Sequence, residues 1–171
     1  MDYLMIIVLV VLVVEIILSA TWNYFYFSKG IKIFTYKLQG INIFDRIPSP
    51  ETLSERFSKG WSGSFLFRAI SPKEIAFREK MIELKLFTYT PVMHGIILIE
   101  PERREIKILG FINWWICGFA IISIGMSQSI HKDGYIFTIG AIGIIGLIYF
   151  IQSVRYRKIG AEIESELKSG V

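Results

Sequence analysis

Apolar residues in this chain gather into three long runs, and most polar residues lie between the first run and the second. The first run covers 3–27, and its heart, 4–18, is interrupted only by Glu15. A helix rises ~1.5 Å per residue, so about 20 residues cross a hydrocarbon core of ~30 Å. The run therefore predicts a membrane span. It closes on Trp22, Tyr24, Phe25, Tyr26 and Phe27, then Lys29, which is the pattern of an aromatic belt at a membrane interface. A cleaved signal peptide needs a positive n-region and small residues at the cut. Only the amino group stands there, against Asp2, and bulky aromatics follow Ala20, so the run predicts an uncleaved anchor.

The second run, 111–127, has Asn113, Trp114 and Trp115 at its start, and the third covers 135–152. The link 128–134, with Lys132, Asp133 and Gly134 as its turn, is short enough to make the two helices antiparallel neighbours.

Between the spans the period changes. Lys32, Phe34, Tyr36 and Leu38 alternate with Ile31, Ile33, Thr35 and Lys37, which predicts a strand. Gly40 breaks it, and 41–47 is a candidate second strand. Ser49-Pro50-Glu51 reads as a helix start, with Leu53 and Phe57 one turn apart and Gly60 as its stop. Strands are predicted at 64–70 and 82–89. Ser71-Pro72-Lys73-Glu74 matches a capping box, so 74–81 stays open between helix and strand. Residues 95–99 and 105–109 flank Glu100-Pro101-Glu102-Arg103-Arg104 and predict a β-hairpin. After Arg157, the spacing of Ile159, Ile163 and Leu167 predicts a short amphipathic helix with a Glu164–Lys168 pair.

The expected architecture is an α+β membrane protein with three transmembrane helices. An N-terminal anchor (1–27) is followed by a small, mainly-β cytosolic domain (28–110), a helical hairpin (111–152) and an amphipathic cytosolic tail (153–171). Composition agrees. Hydrophobic residues make up 53% of 171, with mean hydropathy +0.49, against about 45–50% apolar in soluble domains. The middle segment carries fourteen Lys and Arg against nine acids, while the link between the last two spans holds only Lys132. The positive-inside rule then puts the middle domain and C-terminus in the cytosol and the N-terminus outside, across an inner (plasma) membrane. Topology explains the net charge of +4 without a nucleic-acid partner.

Candidate chemistry is sparse. Glu15 lies within an apolar run, where an acid costs roughly 2.5 kcal/mol or more. Depth matching pairs it with 117–119 on the second span and 143–149 on the third, and makes Trp114, Trp115 or Tyr149 its hydrogen-bond donor. Its candidate roles are partner specification, ion linkage, or a locally bonded acid. Gly140, Gly143 and Gly146 make a smooth helix face for packing within the hairpin or against another subunit. Lys29, Lys107, Arg155, Arg157 and Lys158 are candidate contacts for anionic lipid head groups. The sole cysteine, Cys117, sits in an apolar run and behaves as a small hydrophobe. His94 and His131 have no ligand cluster near them in sequence, and no hydrolase, metalloprotease, phosphate-loop or dinucleotide motif occurs.

The sequence thus predicts a non-enzymatic membrane subunit, without cofactor or metal, that binds lipids and either a protein partner or copies of itself. The alternative is a small conducting oligomer using Glu15. A membrane enzyme with a site near His94 ranks lowest.

Overall fold

The computed structural model describes residues 2–39, 49–58, 65–79, 92–129 and 134–169. The predicted strands at 41–47 and 82–89, the Gly60 stop and His131 lie outside the described residues. The chain is α+β. In order it forms α1 (Asp2–Ala20), α2 (Tyr24–Ser28), β1 (Lys32–Gln39), α3 (Pro50–Ser58), β2 (Phe65–Ser71), β3 (Glu74–Glu79), β4 (Met93–Glu100), β5 (Glu105–Ile112), α4 (Trp114–Ser129) and α5 (Gly134–Ser169). The strands form one antiparallel sheet in the order β1-β5-β4-β3-β2.

Local chemistry explains most boundaries. Ser49 starts α3 by accepting from the Thr52 amide at 3.3 Å. The β4–β5 hairpin turns through a short 3-10 helix, Pro101–Arg103, and Arg104 in the left-handed region at φ 48°. The capping-box reading of 71–74 fails. Ser71 pairs with Glu74 across a Pro72-Lys73 turn, and 74–79 is strand because β4 is there to pair with it. Sheet pairing overrides a local helix signal of about 1 kcal/mol.

Two boundaries are corrected. The 3–27 run is not one helix. Trp22 at φ 57° turns the chain, Asn23 caps α2 through the Tyr26 amide at 3.3 Å, and Tyr26 and Phe27 are buried inside the protein. The expected third span and tail, by contrast, are not separate elements. They form one helix of 36 residues, about 54 Å long at ~1.5 Å per residue.

That length serves two surfaces. The second half of α5 lies across one face of the sheet, where Tyr156, Ile159 and Ile163 join Phe77, Met93, Ile97 and Ile108 in the main core. Burying each such side chain stabilises the fold by roughly 1.5–3 kcal/mol. Leu53 of α3 closes the same core. Hydrogen bonds fix the docking. Tyr156 Oη donates to Met93 O at 3.0 Å, and Gln152 Oε1 accepts from Val92 N and Met93 N at 2.9 and 3.1 Å. Arg155 pairs with Glu79 at 2.8 Å, both nearly buried. Gly95 gives its space to the Phe77 ring.

The first half of α5 is different. Among the described residues it belongs to the one helix long and apolar enough to cross a membrane, over Thr138–Ser165, with mean hydropathy 1.5. Shorter apolar stretches occur at Ile6–Ala20 of α1 and Trp114–Ser123 of α4. α4 packs between α1 and α5. Val8 of α1 fills the notch at Gly118 of α4, and Thr138 Oγ1 of α5 donates to Ser123 O of α4 at 3.2 Å.

Candidate functional site

A buried polar cluster lies where α1, α2, β4 and the start of α4 meet. β5 runs into α4 with Asn113 alone between them, so the first amides of α4 emerge beside the sheet. These amides have no partner within their own helix. Glu15 supplies one from α1. Its Oε1 accepts from Trp114 N at 2.9 Å and its Oε2 from Trp115 N at 2.7 Å, while Tyr26 Oη donates to Oε1 at 2.7 Å. A carboxylate here also meets the positive end of the helix dipole. Glu15 is thereby a helix cap delivered from another helix, 4% exposed.

This corrects the expected surroundings of Glu15. It lies one turn from the sheet-side end of α1, level with 114–115 and not with 117–119. Backbone amides of Trp114 and Trp115 bind it, not their indoles. Tyr149, the third expected donor, gives its hydroxyl to Ile33 O at 3.0 Å and anchors α5 to β1.

Glu15 caps α4, and the Asn113 side chain bonds toward the sheet. Its side-chain amide lies 2.8 Å from His94 Nδ1, and His94 Nε2 lies 2.9 Å from Tyr26 O. Burial pushes the His94 pKa down to about 4, against the upward pull of these two bonds. The ring is neutral at pH 7 and has one N–H. Both ring nitrogens face oxygens, Nδ1 the Asn113 Oδ1 and Nε2 the Tyr26 carbonyl, so the single N–H donates to one of the two. The ring stacks on Tyr26 at 4.1 Å and lies edge-on to Phe27 at 5.3 Å. Burial, reinforced by the Glu15 carboxylate, raises the Tyr26 phenol far above its usual value. Tyr26 and Asn113 are the members that sequence patterning missed. Asn113 directly before a helical run was the available signal.

Beside the cap is a cavity of about 60 Å³. Leu12, Glu15, Ile16 and Ser19 form its α1 wall, and Tyr26, Arg78, His94 and Asn113 line the opposite side. It has room for a few groups of water size, at about 10–15 Å³ each. Burial raises the pKa of Glu79 on the same wall, opposed by Arg155 and by the Gln152 amide. No group of three or more His, Cys, Asp or Glu gathers as a metal site among the described residues.

The remaining candidates scatter. Gly140, Gly143 and Gly146 are exposed with no atom within 4 Å of where a Cβ would stand, so they do not pack inside the hairpin. Ala141 is the buried small residue of that segment. Lys107 does not lie beside the apolar helices. It pairs with Glu100 at 2.6 Å and Glu105 at 3.4 Å, seven residues up β5 from Trp114, or roughly 20 Å at ~3.3 Å per residue. Arg155 is held by Glu79. Lys29, Arg157 and Lys158 are exposed.

No protein-family model, no curated protein and no solved structure matches the chain.

Proposed function

We propose that the chain is an integral membrane subunit without catalytic activity. In this reading α1, α4 and α5 cross an inner membrane. The sheet sits on its cytosolic side, and the N-terminus lies outside. The protein then serves as a scaffold that binds a protein partner or copies of itself.

One observation carries the reading: the apolar side chains of the helices point outward. Ile6, Leu9 and Val13 of α1, Ile121 of α4, and Ile139 and Ile142 of α5 are each between 48% and 65% exposed. A soluble protein rarely leaves a contiguous apolar surface of such extent in water. The polar groups of the same helices turn inward instead. Glu15, Ser19, Ser123 and Gln152 are all buried. Outward apolar and inward polar is the arrangement a hydrocarbon solvent favours.

The sheet-side ends also support one orientation. The end of α1, the start of α4 and the second half of α5 all meet the sheet, as three crossings with a single cytosolic domain require. The outward glycines of α5 leave a smooth face on which another helix can approach closely. The conducting alternative draws less support, since both Glu15 oxygens are engaged by α4 and Tyr26.

Native mass spectrometry after gentle extraction from the native membrane tests the proposal. A stoichiometric second protein, or a defined homo-oligomer, is the expected result. A bare monomer under every mild detergent would remove the subunit reading.

A further inference from the structure

The cavity beside Glu15 holds one group that helix capping leaves unexplained. Arg78 of β3 reaches into its wall with the guanidinium 5.1 Å from the Trp22 ring centroid. Its Nε is buried without a hydrogen-bond partner, and burial lowers its pKa. Among the described residues no carboxylate lies within ion-pair distance of it. The two acids that line the cavity are both occupied. Glu79 pairs with Arg155 at 2.8 Å. Glu15 lies on the first amides of α4 and the Tyr26 hydroxyl, and the helix dipole offsets much of its charge. Arg78 is therefore a partly desolvated cation with donors to spare.

The α1 wall of the cavity is apolar where it meets the outside. Leu12 and Ile16 stand one turn apart, and Ile16 is 40% exposed, so it forms part of both the wall and the outer helical surface. A cavity of about 60 Å³ admits phosphoryl oxygens and a water, and is too small for an acyl chain. A fixed cation within and an apolar rim without together suit an amphiphile whose anionic head enters and whose chain stays outside.

We propose that this cavity binds the phosphate of an anionic phospholipid, with Arg78 as its head-group ligand and the acyl chain leaving along Leu12 and Ile16. The site rests on the membrane reading above. It differs from an exposed basic fringe such as Arg157 and Lys158, where salt screens each charge. Arginine suits the role because its planar fork matches phosphate oxygens in pairs.

The test is native mass spectrometry of the full chain in mild detergent with equimolar phosphatidylglycerol and phosphatidylcholine. Wild type is expected to retain one phosphatidylglycerol per chain. Arg78→Gln is expected to lower that retention at least about ten-fold, the loss of a charge-assisted bond, while the thermal midpoint holds. Arg68→Gln, at an exposed residue of β2 outside the cavity, is expected to change nothing. Ser19→Phe fills the cavity from α1 without altering charge and should also expel the lipid, so the site stays testable if Arg78→Gln folds poorly. Equal retention of the two lipids by wild type would overturn the proposal. So would undiminished phosphatidylglycerol on folded Arg78→Gln, or its displacement by millimolar inorganic phosphate, which would mark a site for free anions. A chain that needs detergent yet shows no lipid preference contradicts this site alone. A chain that stays monodisperse without detergent contradicts the membrane reading beneath it.

Discussion

The two halves of α5 have the same backbone and opposite surroundings. In the second half, Gly160 lies against the Tyr36 ring, where a Cβ would collide with it. In the first half, Gly140, Gly143 and Gly146 have no neighbouring atom within 4 Å of where a Cβ would stand, among the described residues. The polar residues divide in the same way. Gln152, Arg155 and Tyr156 bond to the sheet, while Ile139, Ile142 and Ile144 stand exposed. One helix is thus fixed along half its length by packing inside the protein. Along the other half it offers apolar side chains and glycines that the rest of the described chain leaves uncovered. A small residue means close internal approach in one half and available space in the other.

That contrast makes one substitution informative at two places. Gly95 of β4 is internal in the same sense as Gly160, since the Phe77 ring occupies the space a side chain would take. Gly95→Leu should destabilise the protein by about 3 kcal/mol or more, or prevent folding. The thermal midpoint and yield in detergent measure this. Gly143→Leu should leave the midpoint of the isolated chain unchanged or slightly raised, within about 1 kcal/mol, because leucine favours helix over glycine. Its effect should appear in assembly, as loss of whatever complex wild type forms. If Gly143→Leu unfolds the monomer, the two halves are not distinct in the way described.

The junction between the helices and the sheet gives two predictions of intermediate size. His94 has a folded pKa of about 4 against an ordinary 6.5. Below pH 6.5 the unfolded chain takes up a proton that the folded chain refuses, so stability falls as pH drops from about 6.5 to 4. The full loss is roughly 3 kcal/mol, and nothing is lost above that window. Thermal midpoints from pH 7.5 to 4.5 measure the slope. His94→Gln should lower the midpoint at neutral pH and flatten this part of the slope. A smaller effect is expected for Glu15→Gln, which keeps one acceptor oxygen and removes the charge at the α4 amides. It should cost about 1–2 kcal/mol. In a double-mutant cycle with Tyr26→Phe the double variant should lose less than the sum of the two single losses.

Much of the fold was legible from period and turn chemistry. Alternation located β1, the flanked Pro101 turn located the β4–β5 hairpin, and Ser49-Pro50 located α3. What escaped depends on contacts distant in sequence. Nothing near Glu15 announces that its partners are amides 99 and 100 residues away, because backbone donors leave no side-chain signature. Nothing near Ser71 reveals that β4 will pair with β3. The continuity of α5 was obscured by Arg155, Arg157 and Lys158, which read together as a membrane boundary. Arg155 in fact turns inward to Glu79 while its two neighbours face out. The spacing of Gln152, Tyr156, Ile159 and Ile163 carried the helix through that cluster and was there to be seen.

The most direct test of the three-span reading is cysteine accessibility in intact membranes. Cys117 is the sole cysteine, so single-cysteine variants in a Cys117→Ala background are clean probes. Ile121→Cys lies on the exposed side of α4, 56% uncovered by the protein, and Lys158→Cys lies on the exposed side of α5 beyond the apolar half. A membrane-impermeant maleimide should label Lys158→Cys only from the cytosolic side. It should not reach Ile121→Cys from either side until detergent is added. Labelling of Ile121→Cys in sealed membranes at the rate of Lys158→Cys would put α4 in water and contradict the account.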